Sequence, residues 1–233
     1  MGADHPLPVI FLFDPALSEV TKPASAQNKN RIMRINITYK SFLLVILVIM
    51  ADQALKLWVK STMHLGQEIS LIGNRVLIHF TENNGMAFGY EIGGEYGKLA
   101  LSLFRILAVI GIIWYMRHLI IKEAPQGLVL SIGLILAGAI GNIIDSAFYG
   151  MIFSESFMQP AQWFPEGGGY ASFLHGRVVD MLYFPVIQGR YPSWLPFAGG
   201  DPFIFFRPVF NLADTAITTG VLITLVFYRR FFN

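Results

Sequence analysis

The sequence predicts a membrane protein with an all-α core: four transmembrane helices, a small external β-sheet cradle and a long external loop segment. Three observations predict it. The 233 residues are 54% hydrophobic and only 14% charged, with a mean hydropathy of +0.54, far more apolar than an ordinary soluble domain. Apolar runs long enough to span a bilayer recur four times. The stretches rich in β-formers, turns and aromatics fall between the first and second runs and between the third and fourth.

Composition also excludes several chemistries. The net charge of +2 is too small to point to nucleic acid, and no basic run with interleaved aromatics accompanies it. With no cysteine there is no disulfide, thiolate nucleophile or Cys-ligated metal. The five histidines are scattered and no His-Glu-x-x-His run occurs, so neither a metal nor another cofactor is expected. A Gly-x-Ser-x-Gly elbow is absent too, which leaves a serine mechanism without support.

Residues 1–32 are mixed in character, contain proline and show no periodicity. Their apolar run Val9-Ile10-Phe11-Leu12-Phe13 is too short to span and is broken by Asp14 and Pro15. The stretch also lacks the basic start of a signal peptide. It is expected to be a disordered extension, Met33 being an alternative start, ahead of a single domain over 33–233.

The first span runs from Ser41 to about Val59, preceded by Lys22, Lys29, Arg31, Arg34 and Lys40. Its second half carries Asp52 and Lys56 at i, i+4 on one helix face, an arrangement that suits an ion pair near the outer end. Residues 60–97 form the first external segment. There Gly73-Asn74 separates two alternating apolar runs and predicts a loose hairpin. Asn84-Gly85 reads by itself as a turn.

The second span, about Lys98 to Met116, contains Arg105, which at that depth snorkels or meets a carboxylate. In the loop that follows, His118 reads as a solvated residue. The third span, Gly127 to about Tyr149, spaces Gly133, Ala137 and Gly141 by four residues, a ridge that admits a neighbouring helix closely. Asn142 and Asp145 then share one face at its outer end. The second external segment, 150–207, is aromatic-rich. Trp163, Trp194, Phe197 and Phe203–Phe206 suit an interfacial belt, a substrate-covering flap being the sharper alternative. His175 reads as a surface histidine, with proton donation the alternative. The last span is expected to start near Pro208, at a helix N1 position, and to end at Arg229-Arg230.

Two carboxylates stand out within this frame: Asp180, in Gly176-Arg177-Val178-Val179-Asp180, and Asp214, in Phe210-Asn211-Leu212-Ala213-Asp214. An ionisable group at membrane depth costs about 2.5–3.5 kcal/mol on insertion scales and marks function by default. Two such carboxylates meeting at a membrane surface suit an aspartyl dyad, in which one activates water and the other protonates a carbonyl. The basic positions before span one, between spans two and three and after span four fall on one side, so both termini are expected in the cytoplasm. Asn84, Asn142, Asp145, Asp180, Asn211 and Asp214 then gather at the outer leaflet.

The paired Gly-x-Val-Val-Asp and Phe-Asn-x-Ala-Asp runs resemble the signature of lipoprotein signal peptidases, the bacterial signal peptidase II family. Asn84-Gly85-Met86-Ala87-Phe88 resembles that family's Asn-x-Gly-x-Ala-Phe motif, and Asp52-Gln53 with Lys56 its first-helix motif. Gly141-Asn142-Ile143-Ile144-Asp145-Ser146 resembles its Gly-Asn-x-x-Asp-Arg pattern, with Ser146 in place of the arginine. Arg177 and Arg207 are then the candidates to pair with Asp145. The Asp180–Asp214 spacing exceeds the family's, consistent with an insertion after Tyr183.

The resemblance implies an aspartic endopeptidase of the bacterial inner membrane that removes the signal peptide from diacylglyceryl-modified prolipoproteins, cutting before the lipidated cysteine. Asp180 and Asp214 would be catalytic. Asp52, Lys56, Asn84, Gly85, Asn142, Asp145, Arg177 and Asn211 would bind substrate or support the pair. The expected partners are the lipidated prolipoprotein and membrane lipids, with the chain acting as a monomer. The alternative class is a proton-coupled carrier in which Asp52, Arg105, Asp145 and Asp214 line a pathway. Their clustering at one leaflet and the lack of repeat symmetry argue against it.

Overall fold

The computed structural model describes residues 24–84, 94–185, 187–205 and 208–232. Helix α1 (Ala24–Thr62) contains neither glycine nor proline. It begins inside the stretch expected as an extension and carries the first span without interruption. Helix α2 spans Gly94–Ile121, and α3 spans Gln126–Ile144 before continuing through a π-helical turn, Asp145–Tyr149, to Ile152. Helix α4 spans Leu212–Phe227. Among the described residues, three helices are long and apolar enough to cross a membrane, and α4 is a shorter apolar one.

The small residues of α3 set how closely the helices approach. Gly133 faces Leu44 and Val45 of α1, and a Cβ added at Gly138 would lie 2.2 Å from the Ala213 carbonyl of α4. Gly220 answers from α4, where a Cβ would come within 2.5 Å of the Ser131 carbonyl. Below that contact Ser131 and Thr224 join their buried hydroxyls at 2.9 Å. Backbone contact of this kind is available only where side chains are missing.

Outside the helices stands a four-stranded antiparallel sheet in the order β1-β2-β3-β6. Strands β1 (Glu68–Ile72) and β2 (Val76–Asn83) form the hairpin expected around Gly73-Asn74. β2 pairs with β3 (Val178–Tyr183), Thr81 opposite Asp180. β3 pairs in turn with the short β6 (Val209–Phe210), Leu182 opposite Phe210 and Tyr183 opposite Val209. The residues after Tyr183, expected as an inserted loop, contain a separate two-stranded hairpin of β4 (Ile187–Arg190) and β5 (Pro202–Phe205).

The sheet rests on the helix ends through one apolar cluster, with Val59 and Met63 from α1, Phe80 from β2, Tyr149 and Phe153 from the end of α3, and Val179 and Met181 from β3. Because strand side chains alternate, seating Val179 and Met181 in this core sends Asp180 to the other face.

The π turn also docks the external segment. Its carbonyls are freed from the regular ladder; Ser146 accepts from the Gly176 amide at 2.8 Å and Ala147 from Leu174 at 3.4 Å. A Cβ on Gly176 would lie 2.2 Å from the Asp145 carbonyl, which is why glycine leads into the Asp180 strand. Beside it, buried Lys60 pairs with Glu82, donates to Ser156 at 2.9 Å and lies 4.7 Å from the Tyr170 ring centre. Arg177 clamps the same spot, 3.0 Å from Glu82 and 2.8 Å from Glu155. Its hydrogen bonds hold the Glu155 carboxyl below the usual value.

Candidate active site

Helix α4 starts later than the sequence suggested. Pro208 precedes β6, whose pairing with β3 holds Val209 and Phe210 extended, and Asn211 becomes the N-cap. Asn211 accepts from the Asp214 amide at 2.8 Å while Asp214 receives the Asn211 amide at 3.4 Å, a reciprocal capping box. The Ala213 amide, another orphan donor of the first turn, is met by Asp52 of α1 at 2.9 Å. Asp214 therefore sits within the first turn of the helix rather than deeper along it.

The strand register brings Asp180 to this same turn. Asn211 Nδ2 donates to Asp180 Oδ1 at 2.7 Å, and Asn83 donates to Asp180 Oδ2 at 3.3 Å. On the facing side Asn142 Nδ2 donates to Asp214 Oδ1 at 2.8 Å. Asn211 also donates to Asn142 Oδ1 at 3.2 Å. Asp180 is thus held by Asn211 and Asn83 and Asp214 by Asn142, and Asn211 and Asn142 are themselves linked. Burial pushes the Asp180 carboxyl up to about 7; the charge of Asp214 adds to the rise, and hydrogen bonds from Asn83 and Asn211 oppose it. Asp180 is buried and Asp214 half-buried, so the pair opens on the Asp214 side.

Behind the pair lies a closed ion cluster. Lys56 Nζ is 2.9 Å from Asp52 and 2.8 Å from Asp145, and donates to Asn142 Oδ1 at 3.0 Å. Those three contacts match the three donors of an ammonium. Asp145 further accepts from Gln53 at 2.9 Å and from the Val179 amide at 3.1 Å, so it pins β3 one residue before Asp180. The cation of Asp145 is accordingly Lys56, not Arg177, which is spent on Glu82 and Glu155; Arg207 lies outside the described residues. Among those residues no group of three or more His, Asp or Glu side chains is placed to hold a metal ion.

Of the residues singled out from the sequence, Asp52, Lys56, Asn142, Asp145, Asp180, Asn211 and Asp214 come together. Arg177 stands in the outer clamp with Glu82, and Asn84 accepts from Lys98 of α2 at 2.9 Å. Gly85 lies outside the described residues. Asn83 was missed as a contact of the site, masked by the more turn-like Asn84-Gly85, whereas Gln53, part of the first-helix motif, reaches Asp145.

A helical core with two carboxyls, each hydrogen-bonded to asparagine, where a sheet meets a helix N-terminus is an arrangement suited to an aspartic-type membrane peptidase. Comparisons give the family. The model of signal peptidase II matches residues 44–230. A lipoprotein signal peptidase of Porphyromonas gingivalis is 54% identical over 188 residues, covering 80% of this chain and 81% of the relative. One of Amoebophilus asiaticus is 39% identical over 193 residues, covering 81% and 77%. A bacterial membrane enzyme solved by the in meso method at 2.3 Å shares the fold, with a TM-score of 0.53 over 80% of this chain and 85% of that one, at 24% identity. The chain belongs to the signal peptidase II family, the peptidases that remove signal peptides from prolipoproteins.

Proposed function

We propose that this peptidase cuts diacylglyceryl-modified prolipoproteins immediately before the lipidated cysteine, as a monomer, with Asp180 and Asp214 as its catalytic pair. The observation that carries the reading is the asparagine bridge: Asn211 and Asn142 hold the two carboxyls side by side from different elements. The environments of the pair assign the roles. Asp180, buried and raised to about 7, carries the shared proton. Asp214, half-buried on the open side of the pair, acts as the base. It takes a proton from water as the oxygen attacks the scissile carbonyl carbon, and Asp180 gives its proton to the carbonyl oxygen. In the collapse that follows, Asp214 gives its proton to the amine nitrogen, one hydroxyl of the tetrahedral intermediate returns its proton to Asp180, and the C–N bond breaks to leave a carboxyl and a free amine.

The position of the site suits the substrate. A lipid anchor holds the scissile bond at the membrane interface, which turns a rare encounter into a positioned one. The exposed Trp163, Trp194 and Phe197 are suited to rest on headgroups around it. The charge asymmetry of the loops supports cytoplasmic termini and a site at the outer leaflet of the inner membrane. A carrier pathway has no comparable support, since Asp52, Asp145 and Asp214 are locked into one hydrogen-bonded cluster.

The test is incubation of the purified full chain with a diacylglyceryl-modified prolipoprotein and with the same precursor unlipidated, followed by mass analysis. The expected product begins at the lipidated cysteine and forms only from the lipidated precursor. Equal cleavage of both, or a cut elsewhere, overturns the proposed specificity.

A further inference from the structure

The loop 153–164, which follows the end of α3, lies against the end of α1 and is fastened there at both roots. The Leu65 amide donates to the Ser156 carbonyl at 2.9 Å, and the Ala161 amide to the Lys60 carbonyl at 3.0 Å. Trp163 meets Phe153 edge-on, ring centres 4.6 Å apart, and its indole N–H donates to Ser61 at 3.0 Å. Beside these ties Phe157, Met158 and Phe164 stay 72%, 78% and 71% exposed. Met158 and Phe164 hold left-handed backbone, with φ of 61° and 45°. Bulky side chains rarely adopt that region, and it persists only where the surroundings dictate it. No charged residue occurs from Ser156 to Pro165, and Glu155, just before them, is turned onto Arg177 at 2.8 Å.

The height of this apolar patch follows from α1. Lys40 is the last basic residue before the apolar run of that helix. About 20 residues at 1.5 Å each cross the hydrocarbon layer, which puts its far boundary near Lys60. The ties of the loop fall on Lys60, Ser61 and Leu65, so the patch lies at that boundary. Below it Leu47, Met50 and Trp58 are exposed along α1, and the patch continues their lipid-facing surface.

We propose that the segment 157–164 is a membrane anchor: Phe157, Met158 and Phe164 sit among lipid at the headgroup–acyl boundary, and Trp163 fixes the loop to α1 at that depth. An exposed apolar patch beside polar surface marks an interaction site, and aromatic side chains favour the membrane boundary. The anchor holds the sheet-bearing end of the molecule at a set height, whatever the roles of the catalytic carboxyls.

The chain has no cysteine, so a single introduced one carries a unique nitroxide label. The full chain is labelled at Gln159→Cys, next to Met158 and exposed, in nanodiscs of phosphatidylcholine and phosphatidylglycerol. Asn28→Cys, exposed ahead of the basic start of the span, is the aqueous reference, and Leu47→Cys, exposed in mid-span, the lipid one. Paramagnetic resonance reads collisions with oxygen, which concentrates in lipid, and with a nickel chelate, which stays in water. The oxygen-to-nickel ratio at position 159 is expected to lie severalfold above that at position 28 and to approach that at position 47. Phe157→Asp with Met158→Asp, added to Gln159→Cys, should return it toward the aqueous value. A ratio at position 159 equal to that at position 28 overturns the anchor, and this comparison decides even where the double aspartate variant does not fold. A high ratio left unchanged in the folded double aspartate variant overturns it as well. So does spin–spin broadening at position 159 that vanishes on dilution with unlabelled chain, because a second copy then covers the patch.

Discussion

Asn211 donates its side-chain amide to Asp180 at 2.7 Å while its carbonyl oxygen caps the helix that carries Asp214. One side chain therefore ties the strand-borne carboxyl to the helix-borne one, and its two jobs are separable. Asn211→Ala removes both and should cost about 1–2 kcal/mol from the lost cap alone, together with most of the activity. Asn211→Ser keeps a capping oxygen but no group long enough to reach Asp180. It is expected to recover most of the stability and little of the turnover, read by thermal unfolding alongside cleavage of a lipidated precursor.

Lys56 and Asp145, 2.8 Å apart and fully buried, differ in what their removal leaves behind. Lys56→Met strands Asp52 and Asp145 in a low-dielectric site, and breaking a buried pair in this way costs about 3–5 kcal/mol. Asp145→Asn leaves Lys56 its partner Asp52 and keeps an oxygen for the Val179 amide. The yield of folded, monodisperse protein should fall sharply for Lys56→Met and moderately for Asp145→Asn.

Those contacts also mark where the sequence was informative. Four apolar runs and a hairpin centred on Gly73-Asn74 were legible because burial and turn chemistry are local properties. Asp180 and Asp214 stood out because a carboxylate is costly near lipid. The partner of Asp145 was not legible: Lys56 pairs visibly with Asp52 one turn away, and its second bond crosses to α3, 89 positions on in the chain. The start of α4 was misplaced because proline at N1 is a local signal, while the β3–β6 pairing that keeps Val209-Phe210 extended is not. The π turn that frees carbonyls for Gly176 and Leu174 leaves no local signature in Asp145-Ser146-Ala147-Phe148-Tyr149.

The raised Asp180 carboxyl makes stability depend on pH. Its folded value, about 7, lies above the unfolded value of about 3.9. The folded state therefore holds more protons over that window, and stability falls as pH rises through it. Below about pH 4 the group is protonated in both states and this loss is absent. Asp180→Asn is neutral throughout and escapes the loss. The melting temperature of Asp180→Asn relative to the unsubstituted chain is expected to rise between about pH 4 and pH 7 and then level off. A difference that stays constant over that range contradicts the assignment of the proton to Asp180.

The most direct test is cleavage of a diacylglyceryl-modified precursor by Asp180→Asn, Asp214→Asn and the double variant, with folding checked for each. Both substitutions are near-isosteric and leave the asparagine bridge its partners. Members of one catalytic unit are not additive. Either change alone should therefore lower kcat by about 10²-fold or more, and the double variant should be scarcely slower than the single ones. Near-normal turnover by either folded single variant, or losses that multiply in the double variant, would contradict the pairing of Asp180 with Asp214.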